Sequence, residues 1–254
     1  MFLRARILAG ATALMTALTL LAADPDTATA QKMERVDLEL VLAVDTSSSV
    51  SPGEFNLQMR GLAEAFRHPA VQAAIRAAGD FGIAVSLVQW SDNRKQTVAV
   101  DWVAVHDGAS ADAFAAEIDN TPRYLIGGGT AIGGALHFSM RQLQTNDFEG
   151  RRKVIDVSGD GRTNQGSNPA RARDLAVAAG ITINGLAILN EDVLVDLHYE
   201  ANVIGGTGAF VMRADDYRDF AEAILEKLVK EIAGVPIAVR PTPTGGPLVA
   251  ARGE

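Results

Sequence analysis

The chain contains no cysteine. That excludes disulfides, thiolate metal sites, a cysteine nucleophile and the acylated cysteine of a bacterial lipoprotein. Histidine is scarce: His68, His106, His137 and His198 are scattered, and no Gly-x-Ser-x-Gly turn accompanies them, so nucleophilic catalysis finds no constellation to use. His137 falls a helical turn or two beyond Thr130, a proximity without a mechanism. Basic residues are outnumbered, 23 Lys and Arg against 31 Asp and Glu, for a formal net charge of -8. Such a surface repels phosphate backbones and anionic headgroups, which argues against nucleic acid and against direct membrane binding once any leader is removed. The one basic run, Arg151-Arg152-Lys153, reads as the solvated flank of a strand. No internal repeat is evident.

What is present begins with an export signal. Arg4 and Arg6 precede an apolar stretch from Ile7 to Ala23, and Ala28-Thr29-Ala30 supplies small residues before Gln31. Residues 1–30 therefore read as a signal peptide, with a second boundary after Ala23 and an uncleaved anchor as alternatives. Either way the remainder faces the exported side, periplasmic or secreted. Beyond Gly234, Pro236, Pro241, Pro243 and Pro247 stand among glycines and predict a flexible tail over 235–254. The stretch between, 31–234, reads as one domain, and a hydrophobic content of 48% supports a sizeable core.

Periodicity fills in that domain. Asp37-Leu38-Glu39-Leu40 alternates and then turns fully apolar through Val44, as a strand does when it enters a core covered on both faces. Ser51-Pro52-Gly53-Glu54 forms a capping box with proline at the first helical position, and Phe55, Met59, Leu62 and Phe66 then share a face. His68-Pro69 interrupts this helix, and a shorter one stops at Gly79. Strands are expected at Phe81 to Trp90 and Thr97 to Val103; the link between them is too short for a helical crossover, so they pair antiparallel with the second at an edge. Trp90 reads as core or rim, with lining of a site as the alternative.

Helices follow at about Ala111 to Asn120 and around Ile132, Leu136, Met140 and Leu143, then a strand at Val154 to Val157. Asn168-Pro169 opens a helix ending at Gly180, Ile181 to Leu189 reads as a central strand, and a short helix is expected near Val193 to Glu200. Thr207 to Met212 forms a last strand. Asp215 is expected to cap a final helix whose Tyr217, Phe220, Ala221, Ile224 and Leu228 face inward. Alternation of strands and helices gives an α/β, doubly wound, Rossmann-like sheet that is mostly parallel, with an antiparallel edge strand and helices on both faces.

Three loops that lead into helices carry oxygen ligands. Val41-Leu42-Ala43-Val44 runs into Asp45-Thr46-Ser47-Ser48-Ser49, Gly127-Gly128-Gly129-Thr130 opens a helix, and Lys153 to Val157 leads to Ser158-Gly159-Asp160-Gly161. In an open parallel sheet such loops share the edge at the carboxyl ends of the strands. A hard cation such as magnesium takes about six oxygens and keeps some waters, so these loops could supply part of a shell. Each loop taken singly also reads as helix-capping chemistry. The glycine loop lacks the Gly-Lys-Ser/Thr ending of a P-loop and the Gly-x-Gly-x-x-Gly pattern, so phosphate binding is not expected there. Asp156 interrupts its strand, where a carboxylate is costly unless paired; Lys153 or Arg162 are candidate partners. Asp156 also competes with Asp160 as a ligand, and Gly161, by permitting a tight turn beyond Asp160, favours the latter.

Asp-x-Ser-x-Ser, a later Thr behind glycines and a later Asp-Gly resemble the metal-ion-dependent adhesion site of von Willebrand factor type A domains, over roughly residues 35 to 234. The exported N-terminus and the Val-Ser-Gly-Asp-Gly variant resemble, more narrowly, a bacterial family of A-domain-like proteins of unknown function. The resemblance implies a metal site of Asp45, Ser47, Ser49, Thr130 and Asp160 holding Mg2+, or Mn2+ or Ca2+. It implies a non-enzymatic module in which the ion bridges to an Asp or Glu of a protein or peptide partner. A magnesium-dependent phosphoester hydrolase and a metal-free structural domain are the alternatives; hydrolysis needs a second metal or converging Lys, Arg or His, and the sequence offers no such set.

Overall fold

A computed structural model of the chain describes residues 33–234. The expected leader through Ala30 and the expected tail from Val235 lie outside the described residues. Within them the order is β1 (Glu34–Asp45), α1 (Pro52–Arg67), α2 (Pro69–Ala78), β2 (Ile83–Trp90), β3 (Gln96–Val105), α3 (Gly108–Asn120), α4 (Ile132–Thr145), β4 (Phe148–Gly159), α5 (Pro169–Ala178), β5 (Ile181–Ile188), α6 (Val195–Asn202), β6 (Val211–Ala214) and α7 (Phe220–Ala233). The six strands form one sheet in the order β3-β2-β1-β4-β5-β6. All neighbours pair parallel except β2 with β3, which is the antiparallel edge expected from the short link.

Alternation along β1 sets two layers. Leu38, Leu40, Leu42 and Val44 face a core shared with α1, α2, α3 and α7, while Val41 and Ala43 face a second core shared with α4, α5 and α6, as the two-residue period of a strand requires. The capping box of α1 forms as the sequence indicates: Ser51 Oγ accepts from the Glu54 amide at 3.3 Å and Glu54 Oε2 accepts from the Ser51 amide at 2.7 Å. Phe55, Met59, Leu62 and Phe66 are buried, and Phe66 meets Phe114 of α3 edge to face at 4.8 Å. Trp90 is core, with no exposure.

Several boundaries differ from the sequence reading. β4 starts at Phe148, well before Val154, so the basic run lies within a strand. Its charges are paired there: Arg151 with Asp37 at 3.0 Å, Lys153 with Glu39 at 3.0 Å, while Arg152 donates to the Glu231 and Ile232 carbonyls at the end of α7. The last strand is shorter and later than Thr207 to Met212, because Gly206 and Gly208 take positive φ and hold the preceding segment in turns. Asp215 does not cap α7; Asp219 occupies that position, and Tyr217 lies ahead of the helix.

The chain leaves β1 towards β2 and β3 on one side, then returns to build β4, β5 and β6 on the other. The crevice at the carboxyl ends of β1 and β4 is therefore the topological switch point, the place where open α/β sheets bind ligands.

Candidate functional site

The loop after β1 turns on its own side chains. Asp45 Oδ1 accepts the Ser47 amide at 2.7 Å, which brings Ser47 Oγ to 3.0 Å from Ser49 Oγ. Ser49 Oγ then donates to Asp160 Oδ1 at 2.7 Å, across from the end of β4. The register explains the meeting: Val44 pairs with Ser158, so Asp45 lies beside Gly159. A methyl group at Gly159 would stand 2.9 Å from Asp45 Oδ2.

The glycine loop is fastened to this turn by Ser48. Its hydroxyl donates to the Gly128 carbonyl at 2.9 Å, and its amide donates to the same carbonyl at 3.0 Å. Gly128, at φ 108°, lies close enough to Ser91 and Asp92 that a Cβ would clash. Thr130 is held by Asn164 reciprocally, its amide donating to Asn164 Oδ1 at 2.8 Å and its carbonyl accepting from the Asn164 amide at 3.0 Å. A methyl group at Gly161 would be 3.5 Å from Thr130 Oγ1, which places that hydroxyl next to the Asp160 loop. Asp45, Ser47, Ser49, Thr130 and Asp160 thus gather at one place.

Electrostatics at that place are unfavourable without a cation. Asp45 has no exposure, and its Oδ2 has no hydrogen-bond partner. Burial, then the charge of Asp160, pushes the Asp45 carboxyl up to about 8; the Ser47 bonds and Arg123 pull the other way. Burial also raises Asp160, against the hydrogen bonds from Ser49 and Tyr217. Arg123 does not pair with either acid, since its NH2 donates to the Thr46 and Ser47 carbonyls at 2.8 and 3.1 Å. Two carboxylates with an orphaned oxygen, three hydroxyls and no neutralising side chain form a donor set that fits a hard divalent cation. Among the described residues no group of three or more His, Cys, Asp or Glu is placed to hold a metal, so hydroxyl oxygens are essential to such a shell.

Asp156 is not part of it. Its partner is neither Lys153 nor Arg162 but Lys227 of α7, with Nζ 2.6 Å from Oδ1 and both side chains buried. Arg162 pairs instead with Asp192. Gly161 does not have a positive φ; the backbone that needs glycine is at Gly159, where the strand crowds Asp45 and Tyr199. Among the described residues His137 makes no hydrogen bond to the five, whereas His198 accepts the Thr163 amide at 3.4 Å.

Four contributors were not legible as such: Ser48, Asn164, Tyr217, whose hydroxyl donates to Asp160 Oδ2 at 3.1 Å, and Tyr199, buried beside Asp45. Asn164, in the same loop as Asp160, was the one with a local signal.

Solved structures of similar fold define the class. Proximal thread matrix protein 1 from the mussel byssus, with a zinc-occupied MIDAS motif, is 19% identical with a TM-score of 0.54, covering 78% of this chain and 46% of that one. A von Willebrand factor type A protein from Catenulispora acidiphila is 20% identical with a TM-score of 0.52, covering 77% and 43%. The pilus adhesin SpaC from Lactobacillus rhamnosus GG is 18% identical with a TM-score of 0.55, covering 80% and 31%. The fold is that of a von Willebrand factor type A-like domain, and the chain spans less than half the length of each of these proteins. A family model described as "Protein of unknown function (DUF1194)" matches residues 35–236, and the chain belongs to that family. No curated protein matches it.

Proposed function

We propose that the chain is an exported, non-enzymatic binding module in which Asp45, Ser47, Ser49, Thr130 and Asp160 hold a divalent cation, magnesium or a close substitute, that captures an acidic group of a protein or peptide. The observation that carries this reading is the orphaned, buried Asp45 Oδ2 beside a Ser47–Ser49–Asp160 chain at the sheet's switch point. A bound cation would supply a Lewis-acidic centre, and neutral hydroxyl donors leave it electrophilic towards an incoming carboxylate. Among the described residues no helix is long and apolar enough to cross a membrane. Periplasmic or secreted placement rests on the leader in the sequence. The likeness of fold to an adhesin and a matrix protein is in keeping with protein binding. A hydrolase is less favoured, because Arg123, the cation next to the loop, is committed to backbone carbonyls.

Affinity capture from the native exported proteome tests this, using wild type and Ser49→Ala, each in magnesium and in chelator. Capture by wild type in magnesium alone is the expected result. Equal, chelator-insensitive capture by both proteins overturns it. Metal binding has its own readout: cation at ten times its dissociation constant stabilises the fold by about 1.4 kcal/mol, so identical melting in magnesium and in chelator removes the metal and leaves a structural domain.

A further inference from the structure

A cavity of about 460 Å³ opens at the other end of the sheet from the five oxygen donors. Its lining includes Arg152 and Val154 of β4, Thr182 and Asn184 of β5, the last turn of α7 from Lys230 to Gly234, and Phe210 with the glycine turn before it. Val154 pairs with Thr182 and Asp156 with Asn184, so this floor is the α7-facing side of the two strands.

The charges around the cavity are unevenly satisfied. Arg151 is paired with Asp37, Lys153 with Glu39, and Lys227 with Asp156. Glu231, the acid in the wall, is buried and already bonded to Asn184 at 2.5 Å. Arg152 and Lys230, by contrast, make no ion pair among the described residues. Arg152 is fixed by its bonds to the Glu231 and Ile232 carbonyls at 2.9 and 2.6 Å, which use only part of the donor capacity of a guanidinium. Lys230 Nζ stands 3.8 Å from the centroid of the Phe210 ring, an attraction that keeps the exposed ammonium at the rim of the cavity. Arg152 and Lys230 thus bring two cations without ion-pair partners to one cavity, with Glu231 the acid nearest to hand.

We infer that this cavity binds a small organic monoanion, a carboxylate carried on an apolar ring or chain. A guanidinium with donors to spare beside an ammonium matches a carboxylate; the Thr182 hydroxyl at the cavity is turned to the Thr207 carbonyl at 3.5 Å. Glu231 close by disfavours a second negative charge on the ligand. On the α7-facing side, Val154 and Phe210 provide apolar surface that a bare inorganic anion would leave unused. The assignment does not depend on the metal site.

The test uses the full chain and three probes: benzoate, its neutral analogue benzamide, and inorganic phosphate, followed by amide NMR and thermal melting. Benzoate is expected to shift the Thr182, Gly206, Gly208 and Gly234 amides and to raise Tm, with benzamide inert and phosphate weaker. Lys230→Glu, an exposed position whose change leaves the core intact, should weaken benzoate about tenfold or more through loss of a charge-assisted contact. Its dispersed amide spectrum would show that the variant folds. Equal responses to benzoate and benzamide, shifts elsewhere on the molecule, or undiminished binding by Lys230→Glu would each overturn the proposal, and phosphate binding as tightly as benzoate would overturn the carboxylate assignment.

Discussion

Lys227 Nζ lies 2.6 Å from Asp156 Oδ1, and neither side chain reaches solvent. The pair bolts α7 onto β4, the strand that carries Asp160. Lys227 also faces Glu231 at 3.4 Å, one helical turn on, so one ammonium serves two carboxylates. Lys227→Met would leave those acids facing each other without a cation. Removing one partner of a buried pair costs about 3–5 kcal/mol, and the expected outcome is a matching loss of stability in denaturant unfolding. A loss no larger than that of an exposed surface substitution would show that the pair contributes little.

The same cluster makes stability depend on pH. Burial pushes the Glu231 carboxyl from an ordinary 4.5 up to about 7, with Lys227 pulling it down and Asp156 pushing it further up. An acid whose folded-state pKa is raised binds its proton more tightly when folded. Its contribution is therefore present at low pH and is lost as pH rises across the window between 4.5 and about 7, the sign given by proton linkage. Glu231→Gln keeps an acceptor for Asn184 and removes the titration. Melting in chelator across that window should fall less steeply with pH for the variant than for wild type. Asp45 and Asp160, raised in the same direction, leave a residual slope. An unchanged slope would place the pH dependence entirely on those two.

What could be read from the sequence follows how local each signal is. Asp45, Ser47 and Ser49 are spaced along one turn, and Thr130 and Asp160 each follow a glycine, so their types and positions stand out without knowledge of packing. Tyr217 reaches Asp160 across 57 positions, and nothing near it in the chain announces that contact. Tyr217 is a core residue like Phe220, Ile224 and Leu228 beyond it, and it is the reach of its hydroxyl to Asp160 that the pattern does not disclose. The start of β4 was hidden for a different reason. Arg151-Arg152-Lys153 looks like solvated flank, and only Asp37, Glu39 and the end of α7, all remote in sequence, make those charges compatible with a strand. Asp156 likewise could not name Lys227, which follows it by 71 positions in the numbering.

Tyr217→Phe separates position from packing at the site. The ring stays, and the hydrogen bond to Asp160 Oδ2 at 3.1 Å is lost. Loss of a bond to a buried carboxylate costs about 1–3 kcal/mol in metal-free buffer. If Tyr217 orients Asp160 for a cation, manganese affinity should also fall about tenfold, as it does when partners of metal ligands are removed. Titration of the variant with manganese checks this. A lower Tm with unchanged manganese affinity would make Tyr217 a structural contact alone.

Gly159 and Gly161 flank Asp160, and the two are not equivalent. A methyl group at Gly159 would come to 2.9 Å from both Asp45 Oδ2 and Tyr199 Oη, each fully buried. Neither can move aside readily, since Asp45 is held by the Ser47 amide and Tyr199 is enclosed by the second core. At Gly161 the nearest atom is Thr130 Oγ1 at 3.5 Å, ordinary contact, and its φ is not positive. Overpacking a rigid interior costs about 1–3 kcal/mol, so Gly159→Ala should destabilise by that amount and displace Asp45, weakening cation binding as well. Gly161→Ala should stay within about 0.5 kcal/mol of wild type, as substitutions without a clash do. Melting of the two variants in chelator and in magnesium decides between them. The reverse order, with Gly161→Ala the more damaging, would mean that the turn beyond Asp160, rather than the crowding of Asp45 against β4, is what requires glycine in this loop.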